Sequence, residues 1–150
     1  MRRDLGMLSF DTNILLYSLN PDSQYHTAAV EFLEQQFSDS HRRIVLADYV
    51  AVELYVLLRN PAVMRRPLSP SAARNLVTAY WSIPNVMRVE HAEVMDEVWK
   101  AAGSKGFGRR RIFDLRLALT LRKAGVEEFA TFNVKDFEGL GFQRVWNPLR

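Results

Sequence analysis

Short apolar runs that stop at polar turns alternate along this chain with longer segments whose apolar residues recur every three to four positions. Met7–Phe10 is an apolar-rich run ending at Asp11, the pattern of a strand buried on both faces. Asp11, Thr12 and Asn13 read as turn and cap residues before the apolar run 14–17. Segment 26–37 places Ala29, Val30, Leu33 and Phe37 on one face, predicting an amphipathic helix, and 43–47 predicts a short strand. Asp48 is a candidate N-cap for a helix that reaches Leu58 and is stopped by Asn60 and Pro61. Pro70 and Ser71 open a helix ending near Trp81, and Val86–Val89 predicts a strand. A helix over 92–102 is closed by Gly103, and 104–111, with two glycines and four basic residues, reads as a mobile loop. A strongly apolar helix over 113–124 ends at Gly125; strands follow at 128–132 and Arg144–Trp146, with a turn at Asn133 between them. Strands alternating with helices predict an α/β fold, a mostly parallel sheet flanked by helices. Ligands bind such sheets at the C-terminal ends of the strands, where Asp11 and the 131–133 segment lie.

The length of 150 residues, with no internal repeat, low-complexity tract or linker, predicts one domain over 1–150. No apolar run approaches the roughly 18 residues of a membrane span. The start, MRRDLGMLSF, lacks the apolar stretch and cleavage site of a signal peptide, so a cytoplasmic location is expected. The absence of cysteine excludes disulfides, cysteine nucleophiles and thiolate metal sites. Lys and Arg number 20 against 17 Asp and Glu; this mild excess permits an anionic partner without demanding one. Its distribution is more telling. Arg65 and Arg66 form one basic pair, and Arg109, Arg110 and Arg111 form a cluster that is either a solvated face or a set of phosphate contacts.

Three acids sit in apolar company: Asp11 between 8–10 and 14–16, Glu53 within 49–58, and Asp114 within 112–119. An ionised carboxylate in such a setting is costly unless it is paired, neutralised or bound to a cation. Several of them on apolar elements point to a shared divalent ion, since Mg²⁺ and Mn²⁺ prefer oxygen ligands. His26, His41 and His91 are scattered and form no zinc-type pair. Each acid also has a structural reading. Asp11 suits a helix cap, Glu53 a pair with Arg59, and Asp114 a charge favoured by a helix dipole. Asn133 and Asp136 have the spacing of a capping box, and Thr131 that of an ordinary strand residue.

With those residues in view, LSFDTNILLY resembles the first motif of PIN-domain nucleases and YVAVELYVLL the second. RIFDLRLALTLRKAGVEEFATFNVKDFEGLGFQRVWNPL resembles the third and fourth, in order and at the family's spacing. The chain is most similar to the VapC toxins of VapBC toxin–antitoxin pairs. The resemblance implies a PIN-like three-layer α/β sandwich. It also implies an RNA substrate, Mg²⁺ with Mn²⁺ as a possible substitute, a homodimer and a VapB-like antitoxin that blocks the active site. It assigns Asp11, Glu53 and Asp114 to the metal site and matches Asp136 to the aspartate of the last motif. Asn133 stands where some members carry another acid, leaving the fourth polar ligand open between Asn133 and Asp136. Thr12, Asn13, Thr131 and Asn133 would orient the site or its waters, and Arg109, Arg110 and Arg111 would contact RNA phosphates. Residues 1–6 extend beyond the usual family start and receive no function.

A phosphatase of the haloacid dehalogenase type needs a second aspartate two positions after the first, where this chain has Asn13. A receiver domain needs an acidic pair that is missing around Phe10 and Asp11. Two readings within the resemblance stay open: a PIN nuclease of RNA processing with no antitoxin, and a PIN-like binding protein without catalysis.

Overall fold

The computed structural model describes residues 6–150, so the expected N-terminal extension lies, up to residue 5, outside the described residues. Five strands, β1 (Met7–Phe10), β2 (Ile44–Ala47), β3 (Val86–Val89), β4 (Val126–Ala130) and β5 (Arg144–Trp146), form a sheet in the order β3-β2-β1-β4-β5. All four pairings are parallel. The helices are α1 (Thr12–Leu19), α2 (His26–Ser38), α3 (Asp48–Leu58), α4 (Pro70–Thr78), α5 (Met95–Ala102), α6 (Arg111–Lys123) and α7 (Val134–Phe137). This is the α/β architecture expected from the alternation of patterns, a parallel sheet flanked by helices. Among the described residues, no helix is long and apolar enough to cross a membrane.

The winding reverses at the centre. From β1 the chain moves one way to β2 and β3, then crosses back to place β4 on the other side of β1. The crevice at the C-terminal ends of β1 and β4 is therefore the switch point at which open α/β sheets bind ligands. Phe10 is in register with Ala130, and the Asp11 amide donates to the Ala130 carbonyl at 2.8 Å, so Asp11 leaves the sheet inside that crevice.

The core explains why the sheet holds this position. Every residue of β2 is buried, as are Leu8 and Phe10 of β1 and Phe129 and Ala130 of β4. Ile14 and Leu15 of α1, Leu54 and Leu58 of α3, and Leu121 of α6 close over them. Phe10 packs edge-on against Phe32 and Phe37, each with ring centroids 5.8 Å away.

Several boundaries depart from the sequence pattern for identifiable reasons. Thr12 and Asn13 are already helical, because Asp11 alone acts as the cap of α1. Asp48 is not an N-cap. Ala47 holds that position, and the Asp48 carboxylate is engaged at 2.8 and 2.9 Å by the fork of Arg88 on β3. The helix expected over 70–81 ends at Thr78 and tightens into a 3₁₀ turn, Ala79–Ser82. The helix expected from Ala92 starts at Met95, and the Phe113 helix starts at Arg111, which shortens the preceding loop by one residue. Strand β4 begins at Val126 rather than Glu128. Gly125 turns the chain with φ +98°, and a Cβ there would lie 2.9 Å from the Met7 sulfur. Glu127 and Glu128 conceal this strand start in the sequence. In the fold Glu128 is compensated by Arg42 at 2.7 Å and Arg144 at 3.4 Å.

Candidate active site

Asp11 performs two tasks. As N-cap of α1, its Oδ1 accepts the Thr12 amide at 2.8 Å. Its Oδ2 accepts the Thr131 hydroxyl at 2.7 Å and, at a longer 3.4 Å, the Asn13 amide. The Thr131 hydroxyl in turn accepts the Asn133 amide at 3.0 Å, and the Asn13 Oδ1 accepts the Phe132 amide at 3.2 Å. These bonds tie the start of α1 to the segment leaving β4. They fix the Asp11 carboxylate at the crevice rather than leaving it to solvent. The cap reading of Asp11 is thus correct and does not compete with a role in the site.

Glu53, Asp114 and Asp136 reach the same place from three other elements. With Asp11, Asn13 and Asn133 they line one cleft of about 780 Å³. Glu53 projects from α3 and forms no pair with Arg59, which donates instead to the Tyr55 hydroxyl at 3.0 Å. Asp114 lies in the first turn of α6, where the helix dipole favours it. The capping-box reading of Asn133 and Asp136 fails. Asn133 caps α7 with no side-chain hydrogen bond, and its carbonyl receives the Asp136 amide at 3.0 Å. Both side chains are left to the cleft.

The electrostatics show that the acids sense one another. Burial raises the Asp11 carboxyl to about 6, against the Thr131 and Thr12 hydrogen bonds that lower it, with Glu53 and Asp136 adding to the rise. Burial first, then Asp11 and Asp136, raise Asp114 to about 6, while Arg111 and Arg110 oppose them. Glu53 is also raised, by desolvation and then by Asp114, with the Thr12 hydroxyl acting in the other direction. That buried hydroxyl faces Glu53 and completes no hydrogen bond of full geometry. Among the described residues, no three acidic or histidine side chains are gathered into a closed cation cage; the acids are spread along the cleft wall.

Of the basic cluster, Arg110 and Arg111 line the cleft, and Arg111 donates to the Asp136 carbonyl at 3.2 Å. Arg109 is exposed on the same loop and is not part of the cleft wall. The cleft also contains three residues the sequence reading passed over: Tyr49, Phe113 and Arg116. A signal for them existed. Tyr49 precedes Glu53 by one helical turn, and Phe113 and Arg116 flank Asp114 at a spacing of three.

No protein-family model matches the chain. Ribonuclease VapC24 of Mycobacterium tuberculosis, in two strains, is 46% identical over 143 residues, spanning 95% of this chain and 97% of that protein. The crystal structure of M. tuberculosis VapC20, a Sarcin-Ricin loop cleaving toxin, matches with a TM-score of 0.63 at 16% identity. It covers 90% of this chain and 95% of that one, a likeness of fold. Identity of this extent over nearly the whole length, on a fold that brings the acids of all four motifs to one cleft, establishes that the chain belongs to the VapC family of PIN-domain ribonucleases.

Proposed function

We propose that this chain is an endoribonuclease that hydrolyses RNA phosphodiesters with Mg²⁺ and acts as the toxin of a type II toxin–antitoxin pair. One observation carries the reading: Asp11, Glu53, Asp114 and Asp136, from four separate elements, share a cleft at the switch point, where burial and neighbouring acids raise the proton affinity of Asp11, Glu53 and Asp114. The donor set suits the ion. The acids, with the amide oxygens of Asn13 and Asn133, offer hard oxygen ligands along the cleft wall, and a spread carboxylate set leaves positions for water and phosphate oxygen. Asp11 and Asp114 would hold Mg²⁺ or Mn²⁺ directly, Glu53 directly or through water, with Asp136 or Asn133 as the fourth polar group. The bound ion would supply a more acidic water and stabilise charge on the phosphoryl oxygens. Glu53 would orient the attacking water. Thr131, Asn13, Thr12 and Asn133 hold Asp11 in one orientation, and Arg110 and Arg111 attract the RNA backbone, with Arg109 adding long-range attraction.

The reading includes residues 1–150 acting as one nuclease domain, a VapB-like antitoxin as partner, and a homodimer. Val52 and Val56 on α3, 64% and 56% exposed, offer apolar surface for the pairing of two copies. Purified protein with Mg²⁺ is expected to cleave single-stranded RNA internally, to stop with a chelator and to resume on adding Mg²⁺ or Mn²⁺. Cleavage unaffected by chelator, or none in any metal, rejects the reading.

Thr131→Val gives a finer test. Losing a hydrogen bond to a charged carboxylate costs about 1.5–3 kcal/mol. Cleavage should therefore fall roughly ten- to a hundredfold. Because the Thr131 bond holds the Asp11 carboxyl down, the acidic limb of the pH–rate profile should move upward. An unchanged rate and profile would remove Thr131 from the site.

A further inference from the structure

We propose that Phe113 and Arg116 form a nucleotide subsite beside the acids, in which the guanidinium of Arg116 receives an RNA phosphate and the exposed ring of Phe113 stacks on an adjoining base. The inference rests on the ribonuclease reading and deepens it.

Arg116 is held in an unusual way. Its guanidinium carbon lies 3.9 Å from the Tyr49 ring centroid and 6.0 Å from that of Phe113. Its side chain makes no hydrogen bond or ion pair with a described residue, and its buried Nε has no partner. Arg42 and Arg88 differ, being tied to Glu128 and Asp48. An arginine placed to neutralise the acids would be paired with one of them. This one lines the acidic cleft, yet only aromatic faces fix it, so the fork of its two terminal nitrogens, which are not sealed off as Nε is, stays available. Phosphate, with several oxygens in reach of one fork, is the ligand that geometry suits.

Phe113 supplies the second half. It is 61% exposed although it lines the cleft, and only Ile112 separates it from the run Arg109, Arg110 and Arg111. A large open ring among cations suits the π-face of a base, which any nucleotide can offer, beside a polyanionic backbone. Asp114 lies between Phe113 and Arg116 on α6, so a nucleotide on this pair places its phosphodiester next to the acids. Tyr49 is the positioning residue. It acts through Arg116, from a helix distant in sequence.

The test uses the full chain carrying Asp11→Asn to stop cleavage, a fluorescein-labelled single-stranded oligoribonucleotide, and anisotropy over a range of salt. Phe113→Ala should weaken binding roughly 5- to 150-fold, the range for loss of one aromatic–base stack. An abasic nucleotide walked along the oligonucleotide should abolish that difference at one position. Arg116→Ala should lower the slope of log affinity against log salt by about 0.7, the share of one single-strand phosphate contact. Arg116→Lys should restore the slope but not the affinity, because it lacks the fork; it also carries the test if Arg116→Ala fails to fold. The proposal is overturned if folded Phe113 and Arg116 variants bind RNA with parental affinity and salt slope. It is equally overturned if Phe113→Ala alters only the oligomeric state, which would assign the ring to a second copy of the chain, or only antitoxin binding. If the parent chain cleaves RNA while these variants are neutral, the subsite alone falls; if the parent does not cleave, the ribonuclease reading falls.

Discussion

Asp11→Asn is expected to lower RNA cleavage roughly 10²- to 10⁴-fold, as loss of several kcal/mol of metal-borne stabilisation requires. The fold should survive. An asparagine Oδ1 still accepts the Thr12 amide, and its amide nitrogen can donate to the Thr131 hydroxyl, which has a second lone pair beyond the one taken by the Asn133 amide. What disappears is a charge that burial, Glu53 and Asp136 all disfavour. The metal-free variant should therefore melt no lower than the parent at neutral pH, and higher if the relief of on the order of 2 kcal/mol is realised. Initial cleavage rates and metal-free melting curves on the same preparations check both halves. A variant that cleaves at the parental rate removes Asp11 from the site.

Mg²⁺ should raise the melting temperature by roughly 5–10 °C near pH 7.5 when present at about a hundred times its dissociation constant. Near pH 5 the gain should largely vanish. The sign follows from Asp11 and Asp114, both raised from 3.8 to about 6 in the fold. Between those values the folded protein binds more protons than the unfolded chain. The stability these groups contribute is full below the unfolded value and is lost as pH rises through about 6. At neutral pH the metal-free protein thus carries ionised acids that repel one another, and a divalent cation relieves them. At lower pH, protons already do so. Melting curves with Mg²⁺ and with chelator at the two pH values decide the matter: an equal shift at both, or none at neutral pH, contradicts a cation held by these acids.

Much of this arrangement could be read from the chain. The apolar runs of β1 and β2 stand out because interior parallel strands bury both faces, and the acids interrupting α3 and α6 stand out for the opposite reason. The start of β4 at Val126 did not, since two adjacent acids, Glu127 and Glu128, break the apolar pattern, and only Arg42 and Arg144, from distant elements, neutralise Glu128 in the fold. Asp136 was ambiguous because a capping box and a cleft acid share one spacing; only the side-chain partners of Asn133 separate the two. Tyr49 and Arg116 were invisible as a pair, for they meet across α3 and α6, 67 residues apart by the difference of their numbers.

The placement of β4 against β1 also governs timing. The hydroxyl that holds Asp11, the amide that holds Asn13 and the carbonyl that receives the Asp11 amide all come from residues 130–132, near the end of the chain. During synthesis the first half can emerge and begin to order while its central strand still lacks one neighbour. Non-local parallel pairing of this kind forms late. The cleft therefore cannot form before residues 130–132 have been made and paired with β1. The acids of the first half are, by this topology, without their setting until a strand more than a hundred residues later joins them.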